Sequence, residues 1–218
     1  MSSVLFSCFI LLLAPTRGLA AATPGSASYT VESLHETLTG AMKEAEELGY
    51  VGRFDRIAPV VQSCIDQEFM ATKSIGRHWK KLTADEQKRW LKTFADLTVA
   101  NYAGRFKGYS GERFTLDGEE DAPHDTKLVK TTLVLPDDDD VVLNYRLHET
   151  ESGWKIIDIY MNGTVSELSL RRSEYSSKVK REGFEVLIAA VEEKLADFAE
   201  GNVDDTMNRV SSSAPARP

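Results

Sequence analysis

Four histidines, one acidic run, one Asp–Tyr pair and one cysteine are the residues of this chain whose types suggest chemistry. His35, His78, His124 and His148 fall in separate segments, and none stands at i, i+4 from a second ligand, so their spacing does not make a zinc site. Asp137–Asp140 is a run of carboxylates without the glycine or the distant glutamate of an EF-hand loop, and it reads as a solvated hairpin turn. Gly108-Tyr109-Ser110-Gly111 is one residue short of a nucleophile elbow. There is no phosphate loop and no dinucleotide fingerprint, so no cofactor is expected. Cys64 sits in a helical apolar stripe and reads as a small packed hydrophobe. Asp158 and Tyr160 are the best candidates for an acid–base pair. Strand alternation places them with Trp154 and Ile156, opposite Ile157, Ile159 and Met161, so a structural role on the outer face is expected.

The elements that would position these residues follow from period and punctuation. Thr30 is read as the cap of a first helix carrying Val31, Leu34, Leu38 and Met42, ended by Gly49–Gly52. A second helix is expected over Phe54–Phe69. Thr83-Ala84-Asp85-Glu86 is a capping box that opens the longest helix, running to about Phe106. From Tyr109 the period switches to alternation. Tyr109–Leu116, Lys127–Leu135, Val141–His148 and Trp154–Met161 read as four strands of an antiparallel meander, joined by turns at Asp117–Asp125, Pro136–Asp140 and Glu149–Gly153. Thr164-Val165-Ser166-Glu167 reads as a second capping box, and Gly183 separates the helix it opens from a last amphipathic one. The fold class is α+β: an antiparallel sheet with one apolar face, laid on helices from both ends of the chain.

Composition bounds the rest. With 218 residues, 42% hydrophobic and 28% charged, the chain is of ordinary globular make-up, and its net charge of −8 argues against nucleic acid as a partner. Residues 1–22 read as a secretory signal, with the apolar run Val4–Ala14 and an Ala20-Ala21-Ala22 cleavage site. Cleavage there removes Cys8 and leaves only Cys64, so no intramolecular disulfide is expected. Residues 201–218 are polar, end in SSSAPARP, and read as a disordered tail.

A second line of inference rests on ordered motifs. They begin with Ile75-Gly76-Arg77-His78-Trp79, Thr83 with Glu86, Tyr102, and Tyr145-Arg146. Gly153-Trp154-Lys155-Ile156-Ile157-Asp158, Gly163-Thr164-Val165-Ser166, Arg172-Ser173-Glu174-Tyr175, and Gly183 with Leu187 follow. In this order and spacing, from Ser74 to about Leu195, the chain resembles the MlaC-type periplasmic phospholipid carriers, the toluene-tolerance auxiliary components of an ABC transporter. Where that family usually has Glu before the glycine, this chain has Asn162, a form that resembles the hopanoid-associated, HpnM-like branch.

The resemblance implies a four-stranded, cone-like sheet similar to nuclear-transport-factor-2-like folds, closed by helices around an apolar pocket within residues 23–200. It implies a periplasmic carrier of phospholipid or hopanoid, not an enzyme. Its partners would be an outer-membrane lipoprotein complex and an inner-membrane ABC transporter with an MCE-type subunit, a system serving outer-membrane lipid asymmetry. The residues expected on the pocket wall are Ile75, Phe94, Leu97, Leu143, Tyr145, Ile157, Ile159, Met161, Val165 and Leu168. The alternatives are an enzyme of the steroid-isomerase type on a similar sheet, or an accessory protein of hopanoid biosynthesis. An enzyme needs a carboxylate base beside an oxyanion donor. Tyr145 could donate, but no carboxylate stands among the inward strand positions.

Overall fold

The structure, a computed structural model, describes residues 22–201. Apart from Ala22 and Gly201, the expected signal and tail lie outside the described residues. Helices α1 (Ala27–Lys43), α2 (Ala45–Cys64) and α3 (Gln67–Ile75), a 3-10 turn (Gly76–Lys81) and α4 (Ala84–Arg105) come first. Strands β1 (Arg113–Ala122), β2 (Thr126–Val134), β3 (Val141–Thr150), β4 (Gly153–Met161) and β5 (Val165–Ser166) form one antiparallel sheet in chain order. Helices α5 (Glu167–Glu182) and α6 (Phe184–Glu200) follow. The α+β class and the meander stand as expected, with a fifth short strand added.

Local chemistry explains most boundaries. At Thr83 both bonds of the capping box are made: Glu86 N donates to Thr83 Oγ1, and Thr83 N donates to Glu86 Oε2. α1 begins earlier than expected, because Ser26 caps it and accepts from Tyr29 N. Thr30 instead donates its hydroxyl to the Trp154 carbonyl at 3.2 Å and ties the helix to β4. The helix expected over Phe54–Phe69 is split. Ile65 is extended and bridges to Ile156, while Asp66 caps α3 by accepting from Phe69 N at 2.8 Å. The first helix ends at Lys43, before the expected Gly49–Gly52, and Gly49 with φ 60° makes a kink within α2 instead.

The acidic stretch after Asp117 is strand rather than turn. β1 runs on to Ala122 because β2 answers its charges: Lys127 meets Asp121 and Lys130 meets Glu120, each at 2.6 Å. Only Pro123–Asp125 turns, with His124 and Asp125 at positive φ. Two register shifts interrupt the ladder. The one with consequences pairs Arg146 with Asp158 but Leu147 with Ile156, leaving Ile157 as an unpaired bulge residue. Alternation therefore inverts along β4. Ile156, expected outside, is fully buried opposite Leu147 in the core, and Ile157 is not part of that core cluster.

The helical side packs around Trp90. Its indole N–H donates to the Ala71 carbonyl at 2.9 Å, and Phe94, Tyr175 and Phe184 surround the ring, joining α4 to α5 and α6. The start of α5 is set from the sheet. Thr164 is not its cap; Ser166 is, accepting from Ser169 N at 3.0 Å while pairing with Tyr160 as strand. Ser166 Oγ also donates to Asp158 at 2.6 Å, and the same carboxylate accepts from Leu168 N at 3.1 Å and Ile159 N at 2.8 Å. Burial pushes the Asp158 carboxyl above its ordinary range, against these three bonds. Asp158 thus has the structural role expected of it. Replacing it (Asp158→Ala) leaves the first turn of α5 with unanswered donors, and a loss of roughly 2–3 kcal/mol is expected. For a domain of this size that lowers Tm by about 5–10 °C, read by thermal melting monitored by circular dichroism.

Candidate functional site: an apolar cavity between sheet and helices

A cavity of about 470 Å³ lies between the inner face of the sheet, the C-terminal half of α4 and the first turns of α5. That volume is in the range of small-molecule binding sites. Its sheet wall is built by alternation: Leu133 on β2, Leu143 and Tyr145 on β3, and Ile159 and Met161 on β4. α4 contributes Thr98 and Tyr102, followed by Phe106, and Met42, Ile65 and Met70 come from the first three helices and their junctions. The rim includes Lys107, Asp138, Val165 and Leu170, and Leu170 is 51% exposed although it is a leucine.

Two polar clusters interrupt this apolar lining. Glu167 and Arg171, one turn apart on α5, form an ion pair at 2.6 Å with a second bond from Nε at 3.0 Å. Their side chains are only 18% and 12% exposed. Burial works against the Glu167 charge, but Arg171 outweighs it and holds the carboxyl below the ordinary range. The Arg171 guanidinium, disfavoured by burial but favoured by Glu167, is held above its usual value and also lies over the Phe94 ring at 5.5 Å. A carboxylate was not expected at this cavity. It is present, from a helix rather than a strand, but a carboxylate held ionised by a guanidinium is a weak base.

The second cluster is His35 and Tyr145, joined Nε2 to Oη at 2.9 Å. The imidazole stacks on Phe114 with centroids 3.9 Å apart, and burial lowers its pKa to about 3. It is therefore neutral at ordinary pH, and its contact is with the tyrosine of the cavity wall. Neither cluster supplies a free base. Among the described residues, no group of three or more His, Cys, Asp or Glu is placed to hold a metal, and no helix is long and apolar enough to cross a membrane.

Comparison with known proteins decides the family. The family profile described as MlaC protein matches residues 32–193, which covers every element that builds the cavity. The chain belongs to the MlaC family. Among curated proteins it is 20% identical, over 133 residues, to the intermembrane phospholipid transport system binding protein MlaC of Haemophilus influenzae. That alignment covers 59% of this chain and 62% of the relative. Among solved structures it matches the phospholipid-binding protein from Ralstonia solanacearum, determined in complex with a phospholipid. The TM-score is 0.68 at 20% identity, covering 78% of this chain and 97% of the other, which shows a shared fold. Both relatives are named as binding proteins rather than enzymes.

On this MlaC fold, the ten residues expected on the wall divide in two. Leu143, Tyr145, Ile159, Met161 and Val165 line the cavity. Ile75, Phe94 and Leu97 do not; they are buried in the core cluster, and Phe94 packs on Trp90. Ile157 is displaced by the bulge, and Leu168 packs against the core where Asp158 anchors its amide. Residues unforeseen on the wall include Met42, Phe106, Leu133, Glu167 and Arg171. The i, i+4 spacing of Glu167 and Arg171 was a readable sign of a pair, though not of its inward position.

The neutral His35 has a stability consequence. Its folded pKa is depressed to about 3 from 6.5, so between those pH values the unfolded chain binds more protons than the folded one. Stability is therefore lost as pH falls from about 6.5 toward 3, by up to roughly 1.4 kcal/mol per pH unit from this group. In urea melts at pH 7 and pH 4.5, His35→Gln should show a smaller loss of stability on acidification than wild type. Equal losses would mean that His35 takes up its proton in the fold as readily as in the unfolded chain.

Proposed function

We propose that this protein is a periplasmic carrier that hides the acyl chains of a phospholipid in its cavity and moves the lipid between membranes. The observation that carries this reading is the apolar cavity between sheet and helices, on a fold shared with a phospholipid-bound protein. The intermembrane transport system named for the Haemophilus relative supports the same role. In this reading residues 1–22 direct export, and residues 23–200 form the lipid-binding domain. The partners are an outer-membrane lipoprotein complex and an inner-membrane MCE-type ABC transporter. Leu143, Tyr145, Ile159, Met161 and Val165 are the members of the expected set that contact lipid.

The physics of a carrier suits such a wall. Each methylene taken from water is worth about 0.8 kcal/mol, so exposing even part of an acyl chain costs many times RT. Non-covalent affinity saturates near about −20 kcal/mol, so a carrier that empties again needs a wall that a partner can open. The cavity wall is well placed for that: β5 is held to β4 by two residue pairs only, and the Asn162–Thr164 turn borders it.

The test is native mass spectrometry and lipid extraction on the exported protein, with Ile159→Trp beside it. Wild type should carry about one diacyl lipid. Ile159 is 7% exposed and lines the cavity, so its indole replacement should fill the cavity and lower lipid occupancy several-fold. The delipidated variant should melt within about 2 °C of delipidated wild type, because strain is small where space exists. A variant that is strongly destabilised yet binds lipid normally would show that Ile159 belongs to a filled core. Repeated recovery of no lipid from wild type would overturn the carrier reading.

A further inference from the structure

Two buried donors in the cavity wall have no acceptor. They are Tyr102 Oη, on α4, and Arg171 Nη1, on α5. Both side chains line the same cavity, and they are close enough to act on each other's charge. The rest of the Arg171 fork is engaged: Nε and Nη2 both donate to Glu167 Oε1, which leaves Nη1 as the end without a partner. A buried donor without an acceptor is costly, and native folds keep few of them. Tyr175 also lies near the Arg171 guanidinium, and three other polar neighbours have partners. Thr98 donates to the Phe94 carbonyl, Asn101 donates to the Leu97 carbonyl, and Tyr145 is joined to His35.

The burial of this cluster narrows what would satisfy it. Arg171 is paired with Glu167, and Arg105 on the same lining acts on both Glu167 and Tyr102. Both donor atoms are closed to solvent, so an acceptor that reaches them sheds its own water, which costs a neutral oxygen least and a phosphate or a free carboxylate most. In a lipid whose chains fill the apolar part of the cavity, the neutral acceptors next to those chains are the ester carbonyls of the glycerol backbone. A polycyclic hydrocarbon has none at that depth.

We propose that Tyr102 Oη and Arg171 Nη1 form a receptor for an ester carbonyl, making the cavity selective for ester-linked diacyl lipids. This rests on the carrier reading given above and adds the determinant of its lipid class. Both atoms are closed to solvent in the empty cavity, so a carbonyl reaches them only when a side chain rotates on loading. The pair then has two tasks. It gives the bound lipid a fixed depth, and it removes the penalty that the empty cavity carries.

The test uses delipidated full-length mature protein and displacement of a fluorescent phospholipid. The competitors are a diacyl phosphatidylcholine, its dialkyl ether counterpart of equal chain length, and oleate. Wild type should prefer the diester over the diether by about fivefold to tenfold, the worth of one or two hydrogen bonds. Oleate should compete more weakly than the diester. Tyr102→Phe removes a hydroxyl without a partner, so it should fold at least as stably as wild type while reducing the preference to about twofold or less. Arg171→Lys, which keeps a cation beside Glu167, should reduce the preference as well. Equal displacement by diester and diether in wild type would overturn the proposal while leaving the carrier reading intact, and so would an unchanged preference in both variants. Oleate binding more tightly than the diester would also overturn it, because the site would then be one for anions. Failure of every lipid to bind wild type would remove the carrier reading and this inference together.

Discussion

An apolar cavity inside a protein interior is a standing loss of contact energy, and the rest of this structure is arranged around that loss. Interiors are normally close-packed, and atoms that face empty space forfeit their dispersion partners. The fold therefore concentrates its tight packing elsewhere. Trp90 is fully buried among Phe94, Tyr175 and Phe184, and α1 places Leu34 and Leu38, both fully buried, against the other side of the core. Stability is held in these two regions, while the space between α4, α5 and the concave sheet stays open for a ligand. Binding then supplies apolar contacts that the fold itself withholds, and ligand and fold stabilise each other by mass action.

The position of α5 decides the shape and chemistry of that space. A helix start buried against a sheet has free amides that need acceptors. Asp158 answers one of them and also accepts from the capping Ser166, so the first turn of α5 is held against β4. This position brings Glu167 and Arg171 to the cavity wall rather than to solvent. A buried ion pair contributes little net stability, because desolvation of both charges offsets their attraction. Its value at this position is geometric: it holds the guanidinium in one orientation above Phe94 and leaves one of its nitrogens unspent.

These same groups separate a carrier from an enzyme on a similar sheet. Catalysis by proton transfer needs a group that can take a proton near neutral pH. Glu167 is held ionised by Arg171, Asp158 is engaged with three donors outside the cavity, and His35 is kept neutral by burial and bonded to Tyr145. Each of these three groups has a partner that consumes its chemistry, so none of them is poised to take a proton from a ligand.

Much of this architecture was legible from the residues in order. Period and capping are local properties, so the α+β class, the Thr83 helix start, the meander and the inward set Leu143, Tyr145, Ile159 and Met161 could be read directly. The motif order from Ile75 to Leu187 carried the family. What local reading could not supply were the features set by distant partners. The extra residue at Ile157 inverts alternation, and nothing in the apolar run Ile156-Ile157 marks which residue bulges. The acidic strand β1 exists because Lys127 and Lys130 face it from the neighbouring strand β2. Phe94 and Leu97 share a helical stripe with the residues that reach the cavity, and packing against Trp90 takes Phe94 into the core instead. By itself the sequence determined which residues are apolar, where α4 begins and which face of β3 points inward, because these depend on neighbours along the chain. Whether that face meets a filled core or an open space, and whether Arg171 lies at the surface or on the cavity wall, was decided only when α4 and α5 packed at fixed distances from the sheet. The spacing between elements is a property of their side chains acting together across the fold.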